Sequence, residues 1–183
     1  MLIPENAILV DEGATNGHTI FRVTEGARAH DYLNAVCGGA IGGGLPLALG
    51  ASVACPDRKV VVLQGDGSGM YTVQALWSMA REKADAIVII LKNDNYAILE
   101  VELARVRKGD ANAKMQSMMN LNNPTLDWVK IAGGLGVPAT RAGTADEFHK
   151  QFDAAIRSKG PYLIEAQVVQ DIQTMVDLVR EAK

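Results

Sequence analysis

Three short apolar runs punctuate the first half of the chain: Ala7-Ile-Leu-Val10, Lys59-Val-Val-Val-Leu-Gln64 and Ala86-Ile-Val-Ile-Ile-Leu91. Each is rich in β-branched side chains and apolar at alternate positions on both faces, as expected of parallel strands covered by helices on two sides. A fourth run, Tyr162-Leu-Ile-Glu-Ala-Gln-Val-Val169, follows the turn signal Lys159-Gly-Pro161. Between the strands the spacing predicts helices over 43–55, which is small and apolar, and over 70–82, where Val73, Leu76, Trp77 and Ala80 recur at helical intervals. The clearest helix is 144–158. Thr144-Ala-Asp-Glu147 forms a capping box, Phe148, Phe152, Ala155 and Ile156 make one apolar stripe, and Lys159-Gly160 closes the segment. The polar stretch 107–124 reads as a loop, either a cover over a site or a surface excursion. Strand–helix alternation implies an α/β fold, a doubly wound and mainly parallel sheet with helices on both faces. The expected organisation is a single domain over 1–183 with a peripheral helix at 171–183. Ligands in such sheets sit beyond the carboxyl ends of the strands.

Composition narrows the partners. Charged residues make up 21% and the net charge is only −3, so no basic field points toward nucleic acid or an acidic membrane. Cys37 and Cys55 fit no CxxC or Cys/His spacing, which favours reduced thiols over a disulfide or zinc site. No apolar run reaches the roughly 18 residues that span a bilayer. Met1-Leu-Ile-Pro-Glu5 lacks the basic start and apolar stretch of a signal peptide. A soluble cytoplasmic domain is therefore expected. The unusual feature is glycine: five of the 18 fall within Cys37-Gly-Gly-Ala-Ile-Gly-Gly-Gly-Leu-Pro46. Such density suggests backbone lying close to a ligand or to another segment.

The candidate chemistry lies at two strand ends. Run 59–64 leads into Gly65-Asp66-Gly67-Ser68, a carboxylate between two glycines at the start of a helix. A helix N-terminus favours anions and an aspartate favours a hard cation, so together they describe a metal–phosphate site. Run 86–91 leads into Lys92-Asn93-Asp94-Asn95-Tyr96, placing the Asn93 carboxamide 27 positions after Asp66. One strand–helix–strand unit occupies about 30 residues, so the two oxygens can meet on one ion. A lone Gly-Asp-Gly is equally a turn after a strand; the whole arrangement is far more specific.

That arrangement resembles the cofactor-binding motif of thiamine-diphosphate enzymes, in which GDG is followed one such unit later by Asn. Gly65-Asp-Gly-Ser-Gly-Met-Tyr-Thr-Val-Gln-Ala-Leu-Trp77 and Gly38-Gly-Ala-Ile-Gly-Gly-Gly-Leu-Pro-Leu-Ala-Leu-Gly50 are similar to segments of acetolactate synthases and benzoylformate decarboxylases, and Gly160-Pro-Tyr-Leu-Ile-Glu165 resembles their closing strand. The likeness runs over roughly residues 4–169 and identifies the chain with the C-terminal, diphosphate-binding domain. It implies thiamine diphosphate and Mg²⁺ as cofactors, with Asp66, Asn93 and the backbone carbonyl of Asn95 as metal ligands. Gly65, Gly67, Ser68 and the amide of Tyr96 are implied at the diphosphate, with Thr15 as a further contact. Ile41 is implied as the aliphatic prop that bends the cofactor, and the Gly39 carbonyl as a neighbour of its aminopyrimidine. The chain departs from the family in having Lys92 where the first of two asparagines is common, and in having Gly69 at the helix start.

The resemblance also implies something this stretch lacks. Family members use a partner pyrimidine-binding domain or subunit that supplies an activating glutamate. Glu12, Glu25, Glu100 and Glu102 qualify by residue type alone, with no local pattern behind them. His18 and His30 fall in a region that faces substrate in the family, whereas His149 reads as a surface residue of helix 144–158. The implied activity is decarboxylation or carboligation of a 2-keto acid, lyase or transferase chemistry, in a homo-oligomer and completed by the partner. A non-catalytic cofactor-binding or assembly module that kept the fold stays open as an alternative. A dinucleotide-binding oxidoreductase fits poorly, because Gly39-Ala-Ile-Gly-Gly-Gly44 lacks the G-x-G-x-x-G spacing after a strand.

Overall fold

In a computed structural model, residues 3–17, 19–34, 37–106, 111–169, 172, 173, 176 and 177 are described. His18, residues 107–110 and most of the segment expected as a terminal helix lie outside them. Six strands form one all-parallel sheet in the order β2-β1-β3-β4-β6-β5. They are β1 (Ile8–Glu12), β2 (Asp31–Asn34), β3 (Val60–Gly65), β4 (Ala86–Lys92), β5 (Ala139–Ala142) and β6 (Tyr162–Gln167). The helices are α1 (Ile20–Val23), α2 (Gly44–Ala54), α3 (Asp66–Gly69), α4 (Ala75–Glu82), α5 (Ala97–Val106), α6 (Ala113–Met119), α7 (Trp128–Gly134) and α8 (Ala145–Arg157).

Alternation along the central strands divides the core in two. Ile8, Val10, Val60, Val62, Val88, Ile90 and Leu163 pack with Leu45 and Ala48 of α2, Leu76 and Met79 of α4, and Trp128 of α7. Leu9, Val61, Ile87, Ile89 and Ile164 face the other way, against Phe152 and Ala155 of α8. This explains why β3 from Val60 to Leu63 and β4 from Ala86 to Leu91 are apolar at every position. The Thr144 hydroxyl accepts from the Glu147 amide at 3.2 Å, the forward half of the capping box, while the Glu147 carboxylate reaches back one residue further, accepting from the Gly143 amide at 2.8 Å.

Several elements depart from the sequence expectation. β2 and β5 are edge strands, short and only partly buried, so they carry no continuous apolar run. The helix expected over 70–82 is broken into a 3-10 turn, Met70–Thr72, and α4. The stretch read as a loop contains α6, capped by the Asn112 side chain, which accepts from the Met115 amide at 3.0 Å.

After β1 the chain passes to β2 on one side, whereas β3 lies on the other side of β1. The order therefore reverses between β1 and β3, and the crevice at their carboxyl ends is the topological switch point.

Candidate functional site

Asp66 is the first residue of α3 and stands directly beyond β3. It is only 3% exposed. One carboxylate oxygen accepts from the Gly67 amide at 2.9 Å and the other from the Asp94 amide at 2.8 Å. The second contact draws the β4 turn against the β3 turn, because Asp94 follows Asn93 at the neighbouring strand end. The Asn93 side-chain oxygen accepts from the Asn95 amide at 3.0 Å, closing that turn on itself. A cleft of about 50 Å³ results, lined by Asp66, Gly67, Ser68, Asn93, Asn95, Tyr96, Thr15 and Ile41 among others. Residues expected at the metal and the diphosphate thus share one cavity, though 27 positions separate the two strand ends.

Its chemistry suits a hard cation. Burial pushes the Asp66 carboxyl above its ordinary value, against the opposing pull of the Asp94 and Gly67 amides. A divalent ion would offset that cost directly. Asp66 is the cleft's sole charged side chain among the described residues, and no lysine or arginine lines it. An anionic ligand here would need its own counter-cation. Asn93 and Asn95 supply carboxamide and carbonyl oxygens of the kind Mg²⁺ accepts. The Asn95 side-chain oxygen is buried without a hydrogen-bond partner, while its amide donates to Glu100 at 2.5 Å.

Other expected contributors are placed less simply. The Tyr96 amide donates to the Met119 carbonyl at 2.8 Å. It is therefore already committed, and Tyr96 presents its ring to the cleft instead. That ring lies over Gly67, where a Cβ would meet Tyr96 Cε1 at 2.3 Å, so glycine is required by close approach. The Ser68 hydroxyl accepts from Gln64 at 2.6 Å and donates to the Gly65 carbonyl at 3.2 Å. Lys92 is buried and ion-paired to Asp94, with Thr125 accepting a second bond at 3.0 Å. The unusual lysine thus has its charge neutralised locally.

A second cavity, about 430 Å³, adjoins the cleft and is lined by Asp11, Glu12, Phe21, Tyr32, Asn34, Gly39 and Ile41 among others. Ile41 is 49% exposed and borders both spaces. Tyr32 donates to Asp11 at 2.6 Å; burial, then this carboxylate, raises the phenol well above its usual range. Of the acidic residues considered by type, Glu100 is paired with Asn95, Glu102 with Arg105 at 3.3 Å, and Glu25 is exposed. His30 bonds the Arg28 carbonyl and His149 is exposed on α8. Sequence reasoning missed the arrangement around Glu12, whose partners lie 30 or more residues away and leave no local signal.

Comparison with known proteins agrees with this geometry. The family model of the thiamine pyrophosphate enzyme C-terminal TPP-binding domain matches residues 13–166. A Mycobacterium tuberculosis protein named as an acetolactate synthase large subunit (IlvX) is 49% identical over 168 residues, covering 91% of this chain and 32% of that protein. A benzoylformate decarboxylase of Pseudomonas aeruginosa is 36% identical over 164 residues, covering 90% of this chain and 30% of its own length. Among solved structures, a thiamine diphosphate-dependent 4-hydroxybenzoylformate decarboxylase of Rhodococcus jostii superposes with a TM-score of 0.79 at 33% identity, over 93% of this chain and 31% of that one. The chain spans about a third of the length of the curated relatives it matches. Six parallel strands, a carboxylate after β3 that shares a cleft with a carboxamide after β4, and a family match across both turns lead to one assignment: the chain belongs to the thiamine pyrophosphate enzymes, as their C-terminal cofactor-binding domain.

Proposed function

We propose that this domain binds thiamine diphosphate through Mg²⁺ and forms one half of an active site for decarboxylation or carboligation of 2-keto acids. The other half is a pyrimidine-binding domain, carried on a second chain or elsewhere in a longer one. The observation that carries the reading is the convergence of Asp66, Asn93 and Asn95 on one cleft beside Gly67 and Ser68. In this reading Asp66 and Asn93 give side-chain oxygens to the metal and Asn95 gives its backbone carbonyl. Gly65, Gly67 and Ser68 meet the diphosphate at the start of α3, and the Tyr96 ring closes the cleft beside it. Ile41 and Gly39 serve the rest of the cofactor. When bound, the cofactor supplies the electron sink for carbanion chemistry, and the protein supplies orientation and electrostatics.

None of the glutamates considered by type is presented to the cleft as a free acid, which supports a partner as the source of the activating group. The reading includes a cytoplasmic setting and self-association; among the described residues no helix is long and apolar enough to cross a membrane. The test is titration calorimetry with thiamine diphosphate at fixed Mg²⁺. Asp66→Ala should lower affinity by at least about 100-fold, through loss of a charged ligand, and Asn93→Ala by less. Asp66 also holds two amides, so unfolding is followed in parallel and Asp66→Asn serves as companion. Undiminished affinity in a folded Asp66 variant would overturn the metal assignment.

A further inference from the structure

The glycine-rich turn before α2 looks, in sequence, like a cradle for phosphate. In the structure an internal carboxylate already fills it. Glu12, at the end of β1 and 8% exposed, accepts from three consecutive amides: Gly42 at 2.5 Å and Gly43 at 3.2 Å through Oε1, and Gly44 at 2.7 Å through Oε2. Gln64 of β3 donates to the same Oε2 at 3.0 Å. Four donors converge on one carboxylate, which leaves no amide of this turn for a phosphate. The fit is close: a Cβ at Gly44 would lie 2.8 Å from Glu12 Oε2 and 2.3 Å from Gln64 Oε1. Gly42, at φ +91°, is gripped from the other side by Thr72, whose hydroxyl donates to its carbonyl at 2.8 Å. Immediately before this clamp stands Ile41, between the two cavities.

We infer that Glu12 is a positioning residue for the cofactor: its carboxylate clamps the Gly42–Gly44 turn to β1 and β3, and so fixes Ile41 and Gly39 against the part of the cofactor that is not diphosphate. This rests on the proposed function. A capping role for α2 alone would use the same bonds but would not distinguish one part of a ligand from another. The clamp does, because the diphosphate is held at α3 and β4, away from this turn.

The experiment uses calorimetry at fixed Mg²⁺ with two probes, thiamine diphosphate and inorganic diphosphate, both expected to bind the natural chain. Glu12→Gln puts an amide group where a glycine N–H needs an acceptor. It should weaken thiamine diphosphate by about tenfold or more and change inorganic diphosphate by less than about twofold. Ile41→Ala should show the same selectivity without altering thermal unfolding. The double variant should lose little beyond either single one, because both changes remove one prop. Equal losses for the two probes, no loss for thiamine diphosphate, or additive losses in the double variant would overturn the clamp. If Glu12→Gln does not fold, Glu12→Asp and Thr72→Val, which loosen the turn from its two sides, must show the selectivity instead, and its absence overturns the inference. A natural chain that binds neither probe would overturn the Mg²⁺–cofactor reading itself, a result distinct from failure of the clamp.

Discussion

Gly67→Ala adds one methyl group at the tightest point of the cleft. Its Cβ would stand 2.3 Å from Tyr96 Cε1, 2.9 Å from Cδ1 and 3.0 Å from Cζ. The intruded atoms belong to a rigid ring, and the backbone behind that ring is tied at both ends: the Tyr96 amide to Met119 at 2.8 Å, its carbonyl to the Leu99 amide at 2.9 Å. Reaching ordinary van der Waals contact requires a displacement of about 1 Å. Overpacking of this kind costs roughly 1–3 kcal/mol, which we expect as the loss in unfolding free energy measured with urea. The displaced group is also a wall of the cleft. Affinity for Mg²⁺–thiamine diphosphate should therefore fall by at least about tenfold, equivalent to about 1.4 kcal/mol. The Tyr96→Ala background separates steric cause from any other. With the ring gone, adding Gly67→Ala should cost less than about 0.5 kcal/mol in stability, a strong departure from additivity. Affinity within twofold of the natural chain in the single variant, or the same stability loss in both backgrounds, would refute the argument.

Two further outcomes follow from other parts of the molecule. Asp127 caps α7, and its hydrogen bonds to Lys130, more than the nearby Arg141, hold its carboxyl below the ordinary value. Its contribution is thus present above the unfolded-state pKa and lost as pH falls through the lower folded one, so Asp127→Asn should lower the melting temperature at about pH 6 but not at about pH 2. A deficit that persists in acid would argue against the charge. The chain should also self-associate, since Tyr71, Trp77 and Val53 leave half or more of their surface exposed around α2 and α4. A monomeric mass by light scattering at micromolar concentration would contradict this.

How far the sequence could be read depended on where each signal resided. β3, β4 and β6 lie inside the sheet, and a buried strand needs apolar side chains on both faces, so their runs were plain. β2 and β5 are edges, where Asp31, Asn34 and Arg141 are tolerated and the run is lost. Helix α8 announced itself through Thr144 and Glu147. α6 did not, because its one strong cap, Asn112, sits among other polar residues and only Met119 is buried. α7 was passed over although Asp127 precedes Trp128 at a capping position. The candidate metal–diphosphate residues could be proposed from the sequence because they occupy fixed places after two strands. Glu12 was not: the bonds that define it cross 30 or more residues, and a carboxylate's donors cannot be inferred from its neighbours in the chain. The commitment of the Tyr96 amide to Met119 was hidden for the same reason.

Three buried acids stand in the crevice, Asp11, Glu12 and Asp66, and the function proposed above gives a metal to Asp66 alone. Asp11 accepts from the Gly13 amide and the Tyr32 hydroxyl, and Glu12 from three glycine amides and Gln64. Asp11 thereby ties β1 to β2, and Glu12 ties β1 to the Gly42–Gly44 turn and to β3. Asp66 accepts from the amides of Gly67 and Asp94, and burial pushes its carboxyl above the ordinary value. A diphosphate approaching α3 meets helical amides and, within the same small cleft, this carboxylate. At an effective dielectric near 20, two unit charges of like sign about 4 Å apart repel by about 4 kcal/mol, comparable to what a few charge-assisted hydrogen bonds return. No cationic side chain among the described residues lines the cleft to offset it. A divalent ion between the two anions would turn the repulsion into two attractions, and the Asn93 and Asn95 oxygens would complete its surroundings without adding negative charge. The proposed metal dependence would therefore follow from this charge arrangement: the residue that would repel the diphosphate is the one that would recruit its counter-ion.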